Sequence, residues 1–213
     1  MTWGRRVLTG VIPALLLASG AAAQDFHGCP PEGRGGDPAL NRLKNRTQVP
    51  ATFEAMPFED LANLAVPPGV SKKPRGQWPQ ATLDALEPEE KRAVQVVGYL
   101  LRVKLEGQES PNCRSDAETD RDFHVWLANS PDDDRSEAVV VEITPRIRAL
   151  HKSWSLTNLR RLVTQQSRVR IGGWLMLDPE HPDQVGKTRA TLWEIHPILK
   201  IEVWSGGKWR ELP

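Results

Sequence analysis

Cysteine is scarce in this 213-residue chain, tyrosine scarcer still, and an excess of either charge is missing. The only cysteines, Cys29 and Cys113, form no Cys-x-x-Cys pair and have no Cys/His spacing of the zinc-module kind. Local redox motifs and cysteine-based zinc modules are thereby excluded. No Gly-x-Ser-x-Gly turn occurs, and neither cysteine has a plausible activating histidine nearby in sequence, so no nucleophile constellation is visible. The 28 basic residues almost match the 27 acidic ones. That balance argues against a general polyanion binder, which carries a basic excess. After the first two dozen residues no apolar run is long enough to cross a bilayer.

The first residues set the expected compartment. "MTWGRR" is a short positive segment, "VLTGVIPALLLA" an apolar core and "AAAQ" a small-residue cleavage signal after Ala23. Residues 1–23 therefore read as a bacterial-type secretory signal, and the protein is expected to be secreted or periplasmic once it is removed. No cysteine stands where a lipoprotein would need one. Cleavage removes Arg5 and Arg6 and no acid; the 28 basic residues less those two, against 27 acidic ones, leave a net charge of −1. An oxidising compartment lets Cys29 and Cys113 pair, and one disulfide tying the N-terminal segment to the rest is expected. Two free thiols are the alternative, because pairing needs Cα atoms about 4.4–6.8 Å apart and sequence separation does not decide that.

Residues 24–90 are punctuated by "GCPPEGRGGDP", "AVPPGV" and "KKPRGQWP", a Pro/Gly density that excludes a regular sheet. Two short helices fit between the breaks. "DPALNRLKN" offers Asp37 as N-cap and Pro38 at the first helical position; "PFEDLANLA" starts with proline and has acids in its first turn. Phe53, Phe58, Leu61, Leu64 and Trp78 are more apolar than a linker needs, so the segment is expected to wrap onto a core.

Residues 91–213 change character. "RAVQVVGYLLRVKLEG" reads as a long first strand with Val97, Tyr99, Leu101, Val103 and Leu105 on one face, Arg102 and Lys104 on the other, and Gly98 as a bend or bulge. "DFHVWLA" and "AVVVEIT" follow, with Phe123, Val125 and Leu127 facing Ile143, Val141 and Val139. "PRIRALHKSWSLTNLRRLVTQQ" reads as helical, with Leu156, Leu159, Leu162 and Val163 at helix spacing. "SRVRIGGWLMLD" is a fourth strand and residues 188–203 a fifth; "SGG" turns into a final "KWREL". This order of three strands, a helix and two strands resembles the OB-fold, a five-stranded Greek-key barrel, over about residues 93–203. The resemblance implies a mainly β fold with the helix between strands three and four, preceded by the Pro/Gly-rich extension. It implies no function, since folds host many. "ITPRIR" and "GWLMLDPEHPDQVGKTRATLWEIHPI" also resemble segments of uncharacterised secreted bacterial proteins.

In such a barrel strand five runs beside strand three. The expected hairpin places His124 opposite Glu142, and inward Trp193 and Ile195 turn Glu194 and His196 to the same outer side. Pro197 cannot donate to a ladder, so the strand must bend, bulge or run along an edge there. His124, Glu142, Glu194 and His196 are thus candidate ligands of a divalent metal, which could activate a water; cross-strand ion pairs are the alternative. The loop "LDPEHPDQVGKTR" places Asp178, Glu180, His181 and Asp183 where a cation could bind or where a solvated turn would lie. Its "GKT" lacks the glycine and following helix of a phosphate loop. Trp126 and Trp174, with Arg102, Lys104, Arg168 and Arg170, could stack on and neutralise a ligand, whereas Trp193 belongs to the core. Arg146, Arg148, Lys152, Arg160 and Arg161 read as a solvated basic helix face. Asn45-Arg46-Thr47 fits a glycosylation sequon, uninformative in a bacterial exported chain.

Three functions remain at this point. The leading one is noncatalytic binding of an oligonucleotide, oligosaccharide or small molecule, involving Arg102, Lys104, His124, Trp126, Glu142, Trp174, Glu194 and His196. Nucleic acid is disfavoured by the acidic loops. The second is a metal-dependent hydrolase built on the His/Glu cluster, and the third an envelope module that binds another protein. No cofactor is expected apart from that divalent metal.

Overall fold

Strict alternation closes the sheet. In the computed structural model, which describes Met1 and residues 25–213, seven strands are formed. They are β1 (Glu54–Ala55), β2 (Ala93–Leu105), β3 (Phe123–Ala128), β4 (Val139–Ile143), β5 (Arg168–Leu177), β6 (Trp193–Ser205) and β7 (Lys208–Glu211). The sheet order β2-β3-β4-β6-β5 returns to β2 through a β2–β5 ladder, giving a closed five-stranded barrel. All its neighbours are antiparallel except β4 and β6. β1 adds to the start of β2, and β7 folds back on β6 through a turn whose Gly206 and Gly207 both have positive φ. The export signal expected over residues 1–23 lies outside the described residues, apart from Met1. Among the described residues no helix is long and apolar enough to cross a membrane.

The β3–β4 register is the expected one: Phe123 pairs with Ile143, Val125 with Val141 and Leu127 with Val139, and all six fill the barrel. Trp193 and Ile195 join them from β6. The first strand departs from its expected face. Val94, Val96 and Leu100 point inward, with Gly98 buried between them, while Val97, Tyr99 and Leu101 lie outside the core cluster. A register shift between Leu100 and Arg102 then returns Val103 to the interior. The bulge therefore sits after Leu100, not at Gly98. Gly98 serves close approach instead: a Cβ there would stand 2.4 Å from the Ala128 carbonyl oxygen.

Helices α1 (Pro38–Lys44) and α2 (Phe58–Ala62) occur as expected, α1 capped by the Asp37 side chain. A further helix, α3 (Gln80–Glu90), fills the end of the extension. Phe58, Leu61, Trp78 and Leu86 anchor these elements in the same hydrophobic core. The expected single helix between β4 and β5 is broken into α4 (Pro145–Arg148) and α5 (Leu156–Thr164). Ser155 caps α5 by accepting from the Asn158 N–H, which starts a new helix rather than continuing the old one. Arg146 and Arg148 are not a solvated face. Arg146 donates to the Cys29 and Pro30 carbonyls, and Arg148 donates to the Arg121 and Thr119 carbonyls while its guanidinium lies 4.0 Å from the Phe123 ring centroid.

The extension is fastened by covalent and polar ties. Cys29 and Cys113 form a disulfide with Cα atoms 5.7 Å apart. Asn45 is fully buried and donates through Nδ2 to the Pro31 and Pro111 carbonyls. Arg46 donates to the carbonyls of Glu90, Leu175 and His196, and Arg75 grips Glu90 with two 2.7 Å bonds.

Candidate functional site

β3 carries His124, β4 Glu142, and β6 both Glu194 and His196 where the outer face of the barrel would meet water, and the ladders bring these together. His124 stands opposite Glu142, and Val140 opposite Glu194 across the parallel pair. His124 Nδ1 lies 2.8 Å from Glu142 Oε1, and His196 Nδ1 lies 3.3 Å from Glu142 Oε2 and 3.4 Å from Glu194 Oε2. The four residues expected to converge do so. At His196-Pro197, joined by a cis peptide, β6 bulges against β5: Gly173 pairs with Ile198 and Leu175 with Ile195.

The surprise is burial. The extension, the loop after β2 and the loop before β6 cover this face, leaving His124 at 7%, Glu142 at 5%, Glu194 at 2% and His196 at 0% exposure. Three further groups enter the layer. Glu106, just past β2, accepts at 2.9 Å from His124 and pairs with Lys104; Asp122, just before β3, is fully buried and accepts from Asn112; Lys44 of α1 reaches Glu180 at 3.2 Å. Arg189, also fully buried, bridges Asp178 and Glu194. Alternation already contained part of this. Asp122 shares the parity of His124, and Glu106 that of Lys104, so extending each strand by one pleat would have found both. Lys44 ends helix α1 and Arg189 lies in the loop before β6, and neither carries such a strand signal.

Burial and neighbours set the charge states. Burial pushes Asp122 and Glu142 well above the usual carboxylate range, and nearby acids, Glu109 for both, add to it. His196 is held well below the usual histidine range by burial and then by the Lys44 ammonium, so its ring is neutral. Burial would also lower Lys44, but Glu109, Asp178, Glu180 and Glu142 outweigh it and hold Lys44 well above its ordinary value. Burial opposes ionisation of Glu106, yet His124 and Lys104 bring it down to about 2. The layer can hold protons or a cation, and among the described residues its His124, Glu142, Glu194 and His196 are all buried.

The other sequence candidates separate. In the loop before β6, Asp178 pairs with His181 and Arg189, Glu180 with Lys44, and Asp183 with Lys72, so each acid there already has a basic partner. Trp126 is 5% exposed, donates to the Thr188 carbonyl and lies beneath Arg102, Lys104 and Arg135, which places it in a small outer cluster rather than on an open stacking surface. Arg168 and Arg170 lie over Trp209, and Arg170 is bonded twice to Glu202. Trp174 is placed differently. It lines a groove of about 730 Å³ with Ala39 and Leu43 of α1, Arg46, and Leu83 and Glu87 of α3. Its Nε1 donates to the Gln48 carbonyl and the Arg46 guanidinium lies 5.3 Å from its ring.

No protein-family model and no curated protein matches this chain. Among solved structures it is similar to a chain from Leishmania major Friedlin described as an aspartyl-tRNA synthetase, at 10% identity and a TM-score of 0.35. The match covers 76% of this chain and 23% of that one, so this chain spans less than a quarter of its length.

Proposed function

We propose that this is an exported, noncatalytic binding module of OB-like architecture, whose ligand is a small, mainly apolar molecule held in the Trp174 groove. The groove carries the reading. Its volume falls in the range of small-molecule sites, about 300–1,000 Å³, and its walls are mostly apolar with a few polar groups at the edge. Asp84 and Glu87 line it together with Lys91 and Arg46, a mixed set of charges that does not favour a polyanion. The strand-three and strand-five face, where an OB-like barrel would receive an oligomer, is occupied by the extension. Export is supported by the signal-like first residues and by the Cys29–Cys113 bond, which needs an oxidising compartment. Hydrolysis is not proposed, because the His/Glu layer is covered.

The test uses an anionic aromatic dye, anilinonaphthalene sulfonate, as the probe. The native protein is expected to bind it saturably at one site. Ala39→Trp adds a ring to an exposed position on the groove wall and should abolish that binding while leaving the melting temperature unchanged. Single-stranded oligonucleotides and oligosaccharides should produce no change in tryptophan emission. Equal dye binding by the variant, or a saturable response to either polymer, would defeat the reading.

A further inference from the structure

Four carboxylates of the covered layer are buried, namely Asp122, Glu142, Asp178 and Glu194, and two full cations, Lys44 and Arg189, are buried with them. Half-buried Glu106 has Lys104 and His124, while Glu180 has Lys44 and His181 has Asp178. The buried set is therefore short of two positive charges. Interiors do not hold unpaired charge, so protons on these acids or a bound cation must supply them.

Three of the buried unpaired atoms belong to residues that meet in this layer. Asp122 Oδ2, Glu142 Oε2 and His196 Nε2 are all buried with no hydrogen-bond partner among the described residues. One ligand atom from each of these three residues can be chosen so that all lie within 4.8 Å of one another. His196 Nε2 stands 3.9 Å from Asp122 Oδ2, too long for a hydrogen bond. Two ligand atoms each roughly 2.0–2.1 Å from a shared tetrahedral zinc ion stand about 3.3 Å apart, so the pair would draw together by about 0.6 Å on binding. The histidine is also oriented for this. Its Nδ1 faces Glu142 Oε2 at 3.3 Å and Glu194 Oε2 at 3.4 Å, so a proton held there leaves the lone pair on Nε2, the nitrogen nearer Asp122 Oδ2. A carboxylate behind a ligating imidazole is the usual support of such a site. Glu109 Oε2, likewise buried without a partner, acts electrostatically on all three residues.

We propose that Asp122, Glu142 and His196 bind one first-row divalent cation, with Zn²⁺ the best match to the nitrogen and oxygen donors, as a structural ion sealed beneath the N-terminal extension. Its two charges complete the layer. The neighbouring group of Glu106, His124 and Glu142 is the weaker claimant, because His124 Nδ1 is already shared between the two acids.

The test is Zn²⁺ binding by the whole protein, stripped with chelator and then titrated against a chromophoric competitor. One equivalent should bind, and His196→Gln should weaken it at least about a hundredfold, more than loss of a mere supporting residue. His124→Gln should keep the one-to-one stoichiometry. Because a buried variant can fail to fold, the native protein provides a second readout: ¹⁵N resonances of the histidines, in which His196 Nε2 alone should shift on adding Zn²⁺. Absence of stoichiometric binding, binding lost in His124→Gln and kept in His196→Gln, or an unmoved His196 Nε2 would each overturn the site.

Discussion

Arg189 shows how much the covered layer depends on single side chains. It is fully buried, and its guanidinium holds Asp178 on one side and Glu194 on the other. Arg189→Met removes the cation and leaves both acids behind, the costly way to break a buried pair; the expected loss is about 3–5 kcal/mol by urea denaturation. A loss below about 1 kcal/mol would mean that the two acids are held by other groups. The same residue marks a limit of reading sequence. His124, Glu142, Glu194 and His196 could be brought together in advance because each sits on a strand, where parity fixes its face and ladder order its neighbours. Arg189 precedes β6, and Lys44 ends α1, so their meeting with those acids depends on how loops cross the barrel. Burial was illegible for the same reason: nothing in the strands says that an extension will lie over them.

Strand β2 is where alternation alone misled. Its apolar residues occur at both parities, Val94, Val96 and Leu100 on one and Val97, Tyr99 and Leu101 on the other, and only the bulge after Leu100 decides which half faces in. A one-residue slip reverses every face, and a bulge is such a slip inside one strand. Gly98 gave a real signal with a different meaning, since it accommodates the Ala128 carbonyl rather than a bend. Gly98→Ala should therefore cost about 1–3 kcal/mol, the range for forcing a methyl into a filled site, measured as a fall in the denaturation midpoint. A neutral variant would show that β3 can retreat. Helix α3 escaped notice because Pro79 and Pro88 punctuate its sequence. Yet Pro79 stands just before it, and Pro88 lies in its last turn, so only the hydrogen bond its own N–H would have made is lost. The β3–β4 hairpin, the adjacency of β4 and β6 and a helical segment before β5 were legible, because each follows from period, parity and order.

At the scale of the molecule, the extension and the barrel act as one folding unit. The disulfide spans a sequence separation of 84, and Asn45, Arg46 and Arg146 add ties to the Pro111, His196 and Cys29 carbonyls. Replacing both cysteines, Cys29→Ser with Cys113→Ser, should lower the unfolding free energy by roughly 2–4 kcal/mol. It should also move the first protease cuts into residues 25–50. An unchanged midpoint together with unchanged cutting would mean that the polar ties suffice without the covalent one.

The closed environment of Asn45 has a consequence for producing the protein. In a eukaryotic secretory host, the oligosaccharyltransferase acts on the emerging polypeptide, before Asn45 has been hidden. A sugar on that amide would displace both carbonyls it serves, and the covering segment could not settle. Yeast or insect material would then differ from bacterial material in shape as well as in mass.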